Sequence, residues 1–530
     1  MIIEDLVKDS ALAVSIGFDK SVHSNCSNIL FDNLARNPES LAITGPMGDL
    51  TYRELCRNAS AWGHAFRSTK LKKSDRILFF LDDTPVFPAA FFGAVRAGFV
   101  PVLLNTQTTK ELLDFFIKDS GASIAVCESN FSHMFNKDKV GTLIVVNGEA
   151  PSGAINETEF VRNFDVELPP ADTESDDMAF WMYSSGSTGR PKGIVHLHHD
   201  MAYTNASYSK HILKVKPDDR LFSVPKLYFA YGFGNGITFP FSAGACAVLM
   251  PGQPSSDAVL DVIELYRPTM FFGLPTLYTS LCRSQGINER DLSSLKHCLS
   301  AAEILSEDIF NSWYNLTNLE VVEGLGSTEM LHIYLSNSAA EKRLGSAGRV
   351  VPGYEVKLVD PNGQTVKQGV EGAMMVRGHS SAPCYWNRPD KTAATMKEDW
   401  LYTGDLFIEW DEAYYFQGRA DDLIKVSGQW VWPLEVERCL SEHPQIYECA
   451  VLAHVLEDNR MTLRAVVELR KGNTASKDTT KNLQKFVKSK LLPFKYPRIV
   501  EYVEVMPHTG TGKIDRQALH HSRFREKNDD

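Results

Sequence analysis

Short apolar runs alternate with helical patterns along much of the chain, and this alternation restricts the fold more than any other feature. RILFFL (76–81) predicts a strand, PVFPAAFFGAVRAG (85–98) a helix, and VPVLL (100–104) the next strand. Strand-like runs follow at 122–128 and 142–146. A strand–helix–strand rhythm is typical of a parallel sheet covered by helices.

The same rhythm returns once and then gives way to hairpins. It recurs in RLFSVP (220–225), ACAVLM (245–250), SSDAVLDVIELY (255–266), TMFFGLP (269–275) and LEVVEGLG (319–326). Beyond about residue 350, the segment Asp360-Pro361-Asn362-Gly363 is a turn signal between two extended runs. The chain therefore combines parallel α/β units with a later β-rich region.

The last 110 or so residues have the pattern of a small α+β domain. PLEVERCLSEHP (433–444) predicts a helix that begins at Pro433, and KNLQKFVKSKLL (481–492) predicts another. Two strand patterns, IYECAVLAHV and MTLRAVVELR, lie between them. We predict an α/β protein with a large N-terminal domain (1–419) of stacked α/β subdomains plus a β-rich subdomain, and a small mobile α+β C-terminal domain (420–530).

Size, charge and cysteine usage exclude several classes of protein. A chain of 530 residues is too long for one hydrophobic core. Its net charge of -11 argues against a nucleic-acid partner, which would need a basic face. Nine cysteines without a CxxC pair favour a reducing compartment. The N-terminus lacks a signal-peptide pattern, and Arg96 and Pro101 interrupt the most apolar stretch (87–104), so we expect a cytoplasmic protein without a membrane span.

A loop rich in glycine and hydroxyl groups follows the strand-like run AFWMY (179–183). SSGSTGRPKG (184–193) offers backbone N–H groups, hydroxyls and Lys192 as donors to phosphate oxygens. The P-loop pattern does not fit, because Pro191 stands where the second glycine is needed. Taken alone, a cluster of this kind is more often an ordinary Gly/Ser turn.

The string YSSGSTGRPKG resembles the signature loop of the adenylate-forming superfamily of acyl-CoA synthetases, adenylation domains and luciferases. Five more segments resemble that superfamily's other motifs in the same order: LTYREL (50–55), GLGSTE (324–329), YTGD (402–405), GRADDLIKVSG (418–428) and TGTGKIDR (509–516). Within the superfamily the chain is most similar to the group of benzoate–CoA and 2-aminobenzoate (anthranilate)–CoA ligases. Their versions are matched by IVHLHHD (194–200), LYFAYGFGN (227–235), GSTEMLHIYLSN (326–337), APCYWNRPDKT (382–392) and FKYPR (494–498).

The resemblance implies an ATP site and a catalytic lysine. Lys513 would bridge the attacking carboxylate and the α-phosphate, where an ammonium stabilises two approaching anions. Thr328 would contact the α-phosphate, and Glu329 would bind Mg²⁺, a cation that prefers oxygen ligands. The other residues implied to bind ATP or AMP are Ser184, Ser185, Gly186, Ser187, Thr188, Lys192, Ala301, Ala302, Glu303, Gly324, Leu325, Asp405, Phe416 and Arg419.

The resemblance also implies a flat acid pocket and a hinge. Small and aromatic residues would enclose a planar ring, with no charged side chain among them. The pocket residues are Phe229, Ala230, Tyr231, Gly326, His332 and Ile333. Asp421 matches the hinge about which the C-terminal domain would adopt two orientations, and Ser427 and Gly428 would line the CoA tunnel. Ala302 departs from the glycine expected there, and its methyl group does not decide between an unsubstituted and a substituted ring.

The implied function is an ATP-dependent aryl-CoA ligase that activates benzoate or 2-aminobenzoate as aryl-AMP and transfers the acyl group to CoA. The alternative is a stand-alone enzyme that loads the thiol of a carrier protein. The expected partners are a small aromatic carboxylic acid, ATP and CoA, with Mg²⁺ as cofactor, in a monomer or a homodimer. The histidines at 196, 198 and 199 favour core packing or hydrogen bonding over a metal site, because no ligand set with zinc-site spacing lies nearby.

Overall fold

The structure is a computed structural model. It describes residues 11–136, 138–162, 164, 167–184, 191–301, 305–338, 343–420, 424–426, 429–456, 460–508 and 514–521. The chain divides into two compact units. Unit 1 comprises Met1–Lys357, Met375–Tyr402 and Asp411–Tyr414, and unit 2 comprises Leu358–Met374, Thr403–Trp410 and Tyr415–Asp530. The domain boundary placed at 419/420 from the sequence stays a prediction.

The strands of the first 200 residues confirm the predicted parallel rhythm. They are β1 Leu41–Thr44, β2 Leu50–Thr51, β3 Arg76–Phe80, β4 Val100–Leu103, β5 Ile124–Glu128, β6 Thr142–Val146, β7 Ile155–Asn156, β8 Met178–Ser184 and β9 Lys192–Leu197. A seven-stranded sheet has the order β7-β6-β5-β3-β4-β8-β9, and its pairs are parallel except for antiparallel β8–β9. The inner strands are apolar throughout because both faces of the sheet are buried.

A second sheet is built on the same plan. Its further strands are β10 Arg220–Ser223, β11 Cys246–Val248, β12 Met270–Gly273, β13 His297–Ala301, β14 Val321–Gly326, β15 Ile333–Ser336 and β16 Arg349–Val350. The nine-stranded order is β16-β15-β14-β13-β12-β10-β11-β1-β2. Its central pairs are parallel, whereas β14–β15 is antiparallel. An antiparallel pair at or next to one edge of each sheet, β8–β9 in the first and β14–β15 in the second, therefore flanks one of the motifs found in the sequence.

The remaining strands belong to smaller sheets. They are β17 Glu355–Val359, β18 Gly372–Arg377, β19 Met396–Lys397, β20 Trp400–Trp410, β21 Ala413–Arg419, β22 Ile424–Val426, β23 Gln429–Val431, β24 Ile446–Val455, β25 Met461–Leu469 and β26 Ile499–Val503. β17, β18, β20 and β19 follow one another in a five-stranded sheet in which β21 pairs with β20. β22 pairs with β23, and β24-β25-β26 form a three-stranded sheet. The turn predicted at 360–363 is present, since Gly363 N–H donates to the Asp360 carbonyl at 2.9 Å.

Helices cover the parallel sheets and the small C-terminal sheet. The α-helices are Asn28–Phe31, Asn33–Arg36, Tyr52–Arg67, Val86–Arg96, Lys110–Ser120, Glu157–Val161, Asp200–Thr204, Ala230–Phe233, Phe239–Ala243, Ser256–Tyr266, Pro275–Cys282, Glu307–Thr317, Pro389–Thr395, Pro433–Ser441, Lys477–Lys490 and Arg516–His521. Two π-helical segments, Asn205–Leu213 and Gly234–Thr238, continue shorter helices, and single 3₁₀ turns lie at Lys20–Val22, Ser129–Met134, Ile287–Glu289 and Pro493–Lys495. Within the described part of the chain, no helix combines the length and apolarity that a membrane crossing requires.

Helix ends follow local capping chemistry that the hydrophobic pattern did not register. The motif LTYREL places Thr51 before the helix Tyr52–Arg67, where its hydroxyl accepts from Glu54 N–H while the Glu54 carboxylate accepts from Thr51 N–H. The helix predicted at 481–492 begins earlier, at Lys477, because the Ser476 hydroxyl accepts from Thr479 N–H. The motif at 50–55 is therefore a structural cap in this chain.

Candidate active site

Ten residues implied as functional lie outside the described residues, and their roles stay predictions. They are Ser185, Gly186, Ser187, Thr188, Ala302, Glu303, Asp421, Ser427, Gly428 and Lys513. The other site residues are described, and each unit is treated by itself below.

The ends of the Gly/Ser-rich loop are fixed by the edge of the first sheet. Ser184 is the last residue of β8 and pairs directly with Lys192, the first residue of β9. The Lys192 Nζ lies 4.2 Å from the centroid of the Tyr385 ring. A cation in this position is attracted by the aromatic face. Lys192 is thus held next to the loop on which the sequence places the phosphate contacts.

Tyr385 also contacts the residue proposed to bind Mg²⁺. Its hydroxyl donates to Glu329 Oε1 at 2.8 Å. The backbone explains this placement, because Trp386 N–H donates to the Gly193 carbonyl and Ala382 N–H donates to the Glu329 carbonyl. The segment 382–386 thereby links β9 to the turn after β14. The structure brings Lys192, Tyr385 and Glu329 together in unit 1.

The turn between β14 and β15 carries Thr328 and Glu329. Thr328 C=O accepts hydrogen bonds from Leu331 N–H at 3.0 Å and from His196 Nε2 at 2.9 Å. Leu331 has a φ of 64°, which is unusual for a residue with a side chain, and it is buried. Main-chain contacts on both sides therefore fix this turn.

Three residues implied to bind adenine lie on adjacent strands of the second sheet. Ala301 pairs with Gly324, and Leu325 pairs with Leu335 across the β14–β15 ladder. Beside them, burial raises the pKa of the Glu323 carboxyl to about 7, and this group accepts from Leu305 N–H at 2.8 Å. The structure brings Ala301, Gly324 and Leu325 together, but Ala302 and Glu303 lie outside the described residues.

Asp405, Phe416 and Arg419 lie together in unit 2. Arg419 donates from Nη1 to Asp405 Oδ1 at 2.9 Å and to the Thr403 carbonyl at 3.2 Å. The ring of Phe416 packs against that of Phe407, with 5.3 Å between centroids. The ion pair orients the Asp405 carboxylate, an acceptor-only group that suits the two hydroxyls of a ribose.

Two segments about a hundred residues apart meet at the residues predicted to bind the acid. His332 Nε2 donates to the Tyr231 carbonyl at 3.3 Å, and the two rings lie 5.6 Å apart. Ile333 opens β15 opposite Gly326, and Ala230 opens a short helix next to Tyr231. Phe229 precedes that helix and packs against Tyr228 with 4.8 Å between ring centroids.

Glycine allows the close approach of these two segments. A Cβ on Gly326 would lie 2.4 Å from the His332 carbonyl oxygen, and one on Gly234 would lie 2.2 Å from the His332 ring. Gly326 therefore accommodates backbone, and a larger residue there would displace β15.

His332, one of the predicted acid-binding residues, has a buried ring nitrogen without a partner among the described residues, Nδ1. Burial lowers the pKa of His332 to about 3, so its ring is neutral. Because Nε2 donates to the Tyr231 carbonyl, Nδ1 carries a lone pair without a donor. This buried acceptor is available to a donor group of a ligand or to a water molecule.

The histidines of HLHH are held by hydrogen bonds, as the sequence favoured. His196 contacts Asp200 and the Thr328 carbonyl, and His199 contacts the Ser175 and His379 carbonyls. His198 lies one residue beyond the end of β9. Among the described residues, no group of three or more histidine, cysteine or acidic side chains could hold a metal ion.

Sequence reasoning assigned no role to three residues that support the site. Tyr385 lies in the quoted string APCYWNRPDKT, yet its contact with Glu329 spans 56 residues and follows only from the fold. Asp83 accepts from Leu227 N–H at 3.0 Å, and the Lys226 ammonium donates to Asp82 and to the Met250 carbonyl. These contacts hold the segment that leads into Phe229. Burial raises the pKa of Asp83 to about 7. The sequence carries no signal for this shift, because it depends on the buried position of Asp83 in the fold.

One oxygen of the Glu329 carboxylate is a candidate ligand for a hard divalent cation. Tyr385 engages Oε1, and within the described part of the chain no hydrogen bond reaches Oε2. Carboxylate oxygen is the ligand that Mg²⁺ accepts most readily, often together with phosphate oxygens and water. Tyr385 would orient this carboxylate as the groups around metal ligands commonly do.

Comparisons with known proteins cover nearly the whole chain. The family described as AMP-binding enzyme matches residues 30–386, and the AMP-binding enzyme C-terminal domain matches residues 435–513. The chain is 40% identical over 479 residues to a benzoate–CoA ligase of Thauera aromatica, covering 89% of this chain and 90% of that protein.

Two solved structures are similar over almost their full lengths. An anthranilate CoA ligase, AuaEII, solved in complex with anthranoyl-AMP, has a TM-score of 0.89 at 31% identity, covering 96% of this chain and 98% of its own. A benzoate CoA ligase from Burkholderia xenovorans LB400 has a TM-score of 0.86 at 36% identity, covering 93% and 99%.

Proposed function

The chain belongs to the AMP-binding enzyme family, and on that premise we propose that it is an AMP-forming aryl acid–CoA ligase. The reaction has two steps. An aromatic acid and ATP give aryl-AMP and pyrophosphate, and aryl-AMP and CoA then give aryl-CoA and AMP. The predicted α/β architecture, with a small α+β C-terminal part, agrees with the fold of the similar ligases.

The observation that carries the proposal is the junction of two distant segments in unit 1. Ala230 and Tyr231 meet His332 and Ile333, next to the turn that carries Thr328 and Glu329. The first group supplies small, aromatic and aliphatic surface for a planar ring, and the second supplies polar groups for ATP. An acid held in the first site would present its carboxylate near the second.

The residues of unit 1 would have the following roles in binding ATP. Lys192 and Ser184, at the two described ends of the loop, would contact the β- and γ-phosphates. Thr328 would donate its hydroxyl to the α-phosphate, and Glu329 would hold Mg²⁺, which would neutralise phosphate charge. Tyr385 would position both Lys192 and Glu329, since it contacts each.

The residues outside unit 1 would complete the reaction. Asp405, oriented by Arg419, would accept hydrogen bonds from the ribose, and Phe416 would contact the adenine. Lys513 would stabilise the transition state of adenylation, because its ammonium would face both the carboxylate and the α-phosphate. Asp421 would be the hinge, and Ser427 and Gly428 would line the path of the CoA thiol.

The unsatisfied atoms of the pocket refine the choice of acid. His332 Nδ1 is a buried acceptor, and a ring amino or hydroxyl group would give it a donor. The neutral ring of His332 gives no charge to balance a second carboxylate on the substrate. We therefore rank 2-aminobenzoate above benzoate, and both above acids with a charged substituent.

Acid-dependent release of pyrophosphate tests the proposal. Benzoate, 2-aminobenzoate, hydroxybenzoates, phthalate and a medium-chain fatty acid are compared at saturating ATP and Mg²⁺, first without a thiol and then with CoA or a phosphopantetheinylated carrier protein. We expect aromatic acids to be turned over and CoA to be the better acceptor. Absence of pyrophosphate release with every aromatic acid would contradict the proposal.

A further inference from the structure

Three buried histidines follow one another in the segment HLHHD (196–200), and the proposed reaction assigns none of them a task. Their ring nitrogens have different partners. His198 Nδ1 accepts a hydrogen bond from Cys26 N–H at 3.2 Å, so that nitrogen carries a lone pair and the ring is neutral. Burial lowers the pKa of His198 to about 4, in agreement with this assignment. The hydrogen bonds of His196 and His199 can therefore be compared with those of His198, a histidine whose Nδ1 accepts.

His196 has an acceptor at each ring nitrogen. Nδ1 lies 2.8 Å from Asp200 Oδ2, and Nε2 lies 2.9 Å from the Thr328 carbonyl oxygen. The side chains of His196 and Asp200 are both fully buried, with 0% exposure. Because a carbonyl oxygen can only accept a hydrogen bond, Nε2 carries the proton that is donated to Thr328, and the Asp200 carboxyl group holds the ring at Nδ1 on the other side.

His199 has the same arrangement. Its Nδ1 lies 2.8 Å from the Ser175 carbonyl oxygen, and its Nε2 lies 2.8 Å from the His379 carbonyl oxygen. Asp200 Oδ1 is 3.3 Å from His199 Nε2, and Asp176 Oδ1 is 3.4 Å from Nδ1. The Asp200 carboxyl group, whose Oδ2 also accepts from Leu197 N–H, therefore lies between the rings of His196 and His199.

This cluster lies directly behind the turn that carries Thr328 and Glu329. The Thr328 carbonyl receives only two hydrogen bonds from described residues, those of Leu331 N–H and His196 Nε2. Leu331 holds a positive φ, a conformation that a leucine keeps only where neighbouring contacts impose it. Loss of the His196 donor would leave the Thr328 carbonyl with the Leu331 N–H as its one described partner, although Ala382 N–H still binds the neighbouring Glu329 carbonyl.

We propose that His196 is a positioning residue: held at Nδ1 by Asp200, it clamps the Thr328 carbonyl by donating from Nε2 and so fixes Thr328 and Glu329 for the phosphates of ATP. The inference rests on the proposed role of these two residues in ATP binding.

Two isosteric substitutions separate the two hydrogen bonds. The amide nitrogen of asparagine can take the place of Nδ1, so His196→Asn keeps a donor to Asp200 and loses the donor to Thr328. The amide nitrogen of glutamine can take the place of Nε2, so His196→Gln keeps the donor to Thr328. We expect His196→Asn to lower kcat/KM for ATP in adenylation by about tenfold more than His196→Gln. Formation of aryl-CoA from supplied aryl-AMP should change little in either.

Two further measurements keep the test independent of folding and of the acid used. His198→Asn, whose amide oxygen can still accept from Cys26 N–H, is the matched control and should keep its activity. The ¹⁵N spectrum of histidine-labelled wild-type protein, assigned with the His196 variants, should show a proton on Nε2 of His196. An Nε2 of His196 without a proton, equal losses in the two His196 variants, or losses that follow the melting temperature would overturn the inference.

Failure of the proposed function would give a different result. Wild-type protein would then release no pyrophosphate with any acid, while the ¹⁵N spectrum would still report the state of His196. The clamp would in that case be tested by ATP affinity, measured by calorimetry in the Asn and Gln variants. Equal affinity in both would contradict the clamp.

Discussion

Two parts of unit 1 treat their polar groups in opposite ways. In the phosphate side, formed by Lys192, Tyr385, Glu329, Thr328 and His196, the tyrosine hydroxyl, the Thr328 carbonyl and both nitrogens of His196 have protein partners. In the acyl side, formed by Ala230, Tyr231, Asn235, His332 and Ile333, buried polar atoms have no partner among the described residues. The phosphate side is fixed by contacts within the protein, whereas the acyl side keeps polar atoms that could form hydrogen bonds with a ligand.

The two buried histidines show what the difference means. His196 has a protein partner at each ring nitrogen, while His332 donates from one nitrogen and keeps a lone pair on the other. Both rings are removed from water, so burial alone does not distinguish them. Their hydrogen-bond partners do, because only His332 keeps a nitrogen that could accept from a ligand. Substitutions that affect one side and spare the other would sharpen this comparison.

The largest effect is expected from a residue that belongs to neither side. Lys513→Ala should slow adenylation by about 10²- to 10³-fold with every acid, because the ammonium that would face both anions is lost. Thioester formation from supplied aryl-AMP should be largely intact. Single-turnover measurements of each half-reaction check this.

Asp421→Pro is the matched counterpart of that substitution. Proline fixes φ at the predicted hinge, so thioester formation should fall while adenylation is largely kept. If Lys513→Ala and Asp421→Pro slow both half-reactions equally, the proposal that the two steps need different orientations is wrong for this protein.

The next effect belongs to the phosphate side. Glu329→Gln keeps the shape and removes the charge, so activity at limiting Mg²⁺ should fall by about 10²-fold, with partial recovery at high Mg²⁺. The ratio of kcat/KM between 2-aminobenzoate and benzoate should stay as in the wild type. A changed ratio would show that the two sides are not separate, and unchanged activity would remove Glu329 from the metal site.

A complementary effect is expected on the acyl side. Ala230→Leu adds volume to a buried position and should raise KM for aromatic acids by about 10- to 100-fold, with the KM for ATP unchanged. Gly326 offers no equivalent test, because its Cβ would meet the backbone of His332. An Ala230→Leu enzyme with wild-type KM for every aromatic acid would place the ring elsewhere.

The smallest effect should come from the residue that joins the phosphate contacts. Tyr385→Phe keeps the ring next to Lys192 and removes the hydrogen bond to Glu329, so activity should fall by about three- to tenfold. The loss should be larger at limiting Mg²⁺ than at saturating Mg²⁺. An equal loss at both concentrations would mean that the hydroxyl does not orient the metal ligand.

The sequence predicted the parallel framework because apolar runs report burial on both faces of a strand. β3, β6 and the helix Ser256–Tyr266 lie within a residue or so of their predicted ranges. Helix ends were less accurate, since Ser476 and Thr51 act through side-chain caps that periodicity does not register. The motifs identified Glu329 and His332 without any indication of their neighbours.

The support of the site could not be predicted, because it depends on contacts between distant segments. Tyr385 reaches Glu329, and His196 reaches Thr328, across 56 and 132 residues of chain. The sequence favoured core packing or hydrogen bonding for the histidines of HLHH. The orientation of each ring, and hence the partner of each nitrogen, follows only from the three-dimensional structure. The unpaired nitrogen of His332 has the same origin.

The specificity of acid activation tests the central claim most directly. The measurement is kcat/KM for acid-dependent pyrophosphate release, followed by CoA-dependent thioester formation, with 2-aminobenzoate, benzoate and a medium-chain fatty acid on the same preparation of the whole chain. The account predicts that both aromatic acids exceed the fatty acid and that 2-aminobenzoate is at least as good as benzoate. A fatty acid that exceeds every aromatic acid in kcat/KM would contradict it.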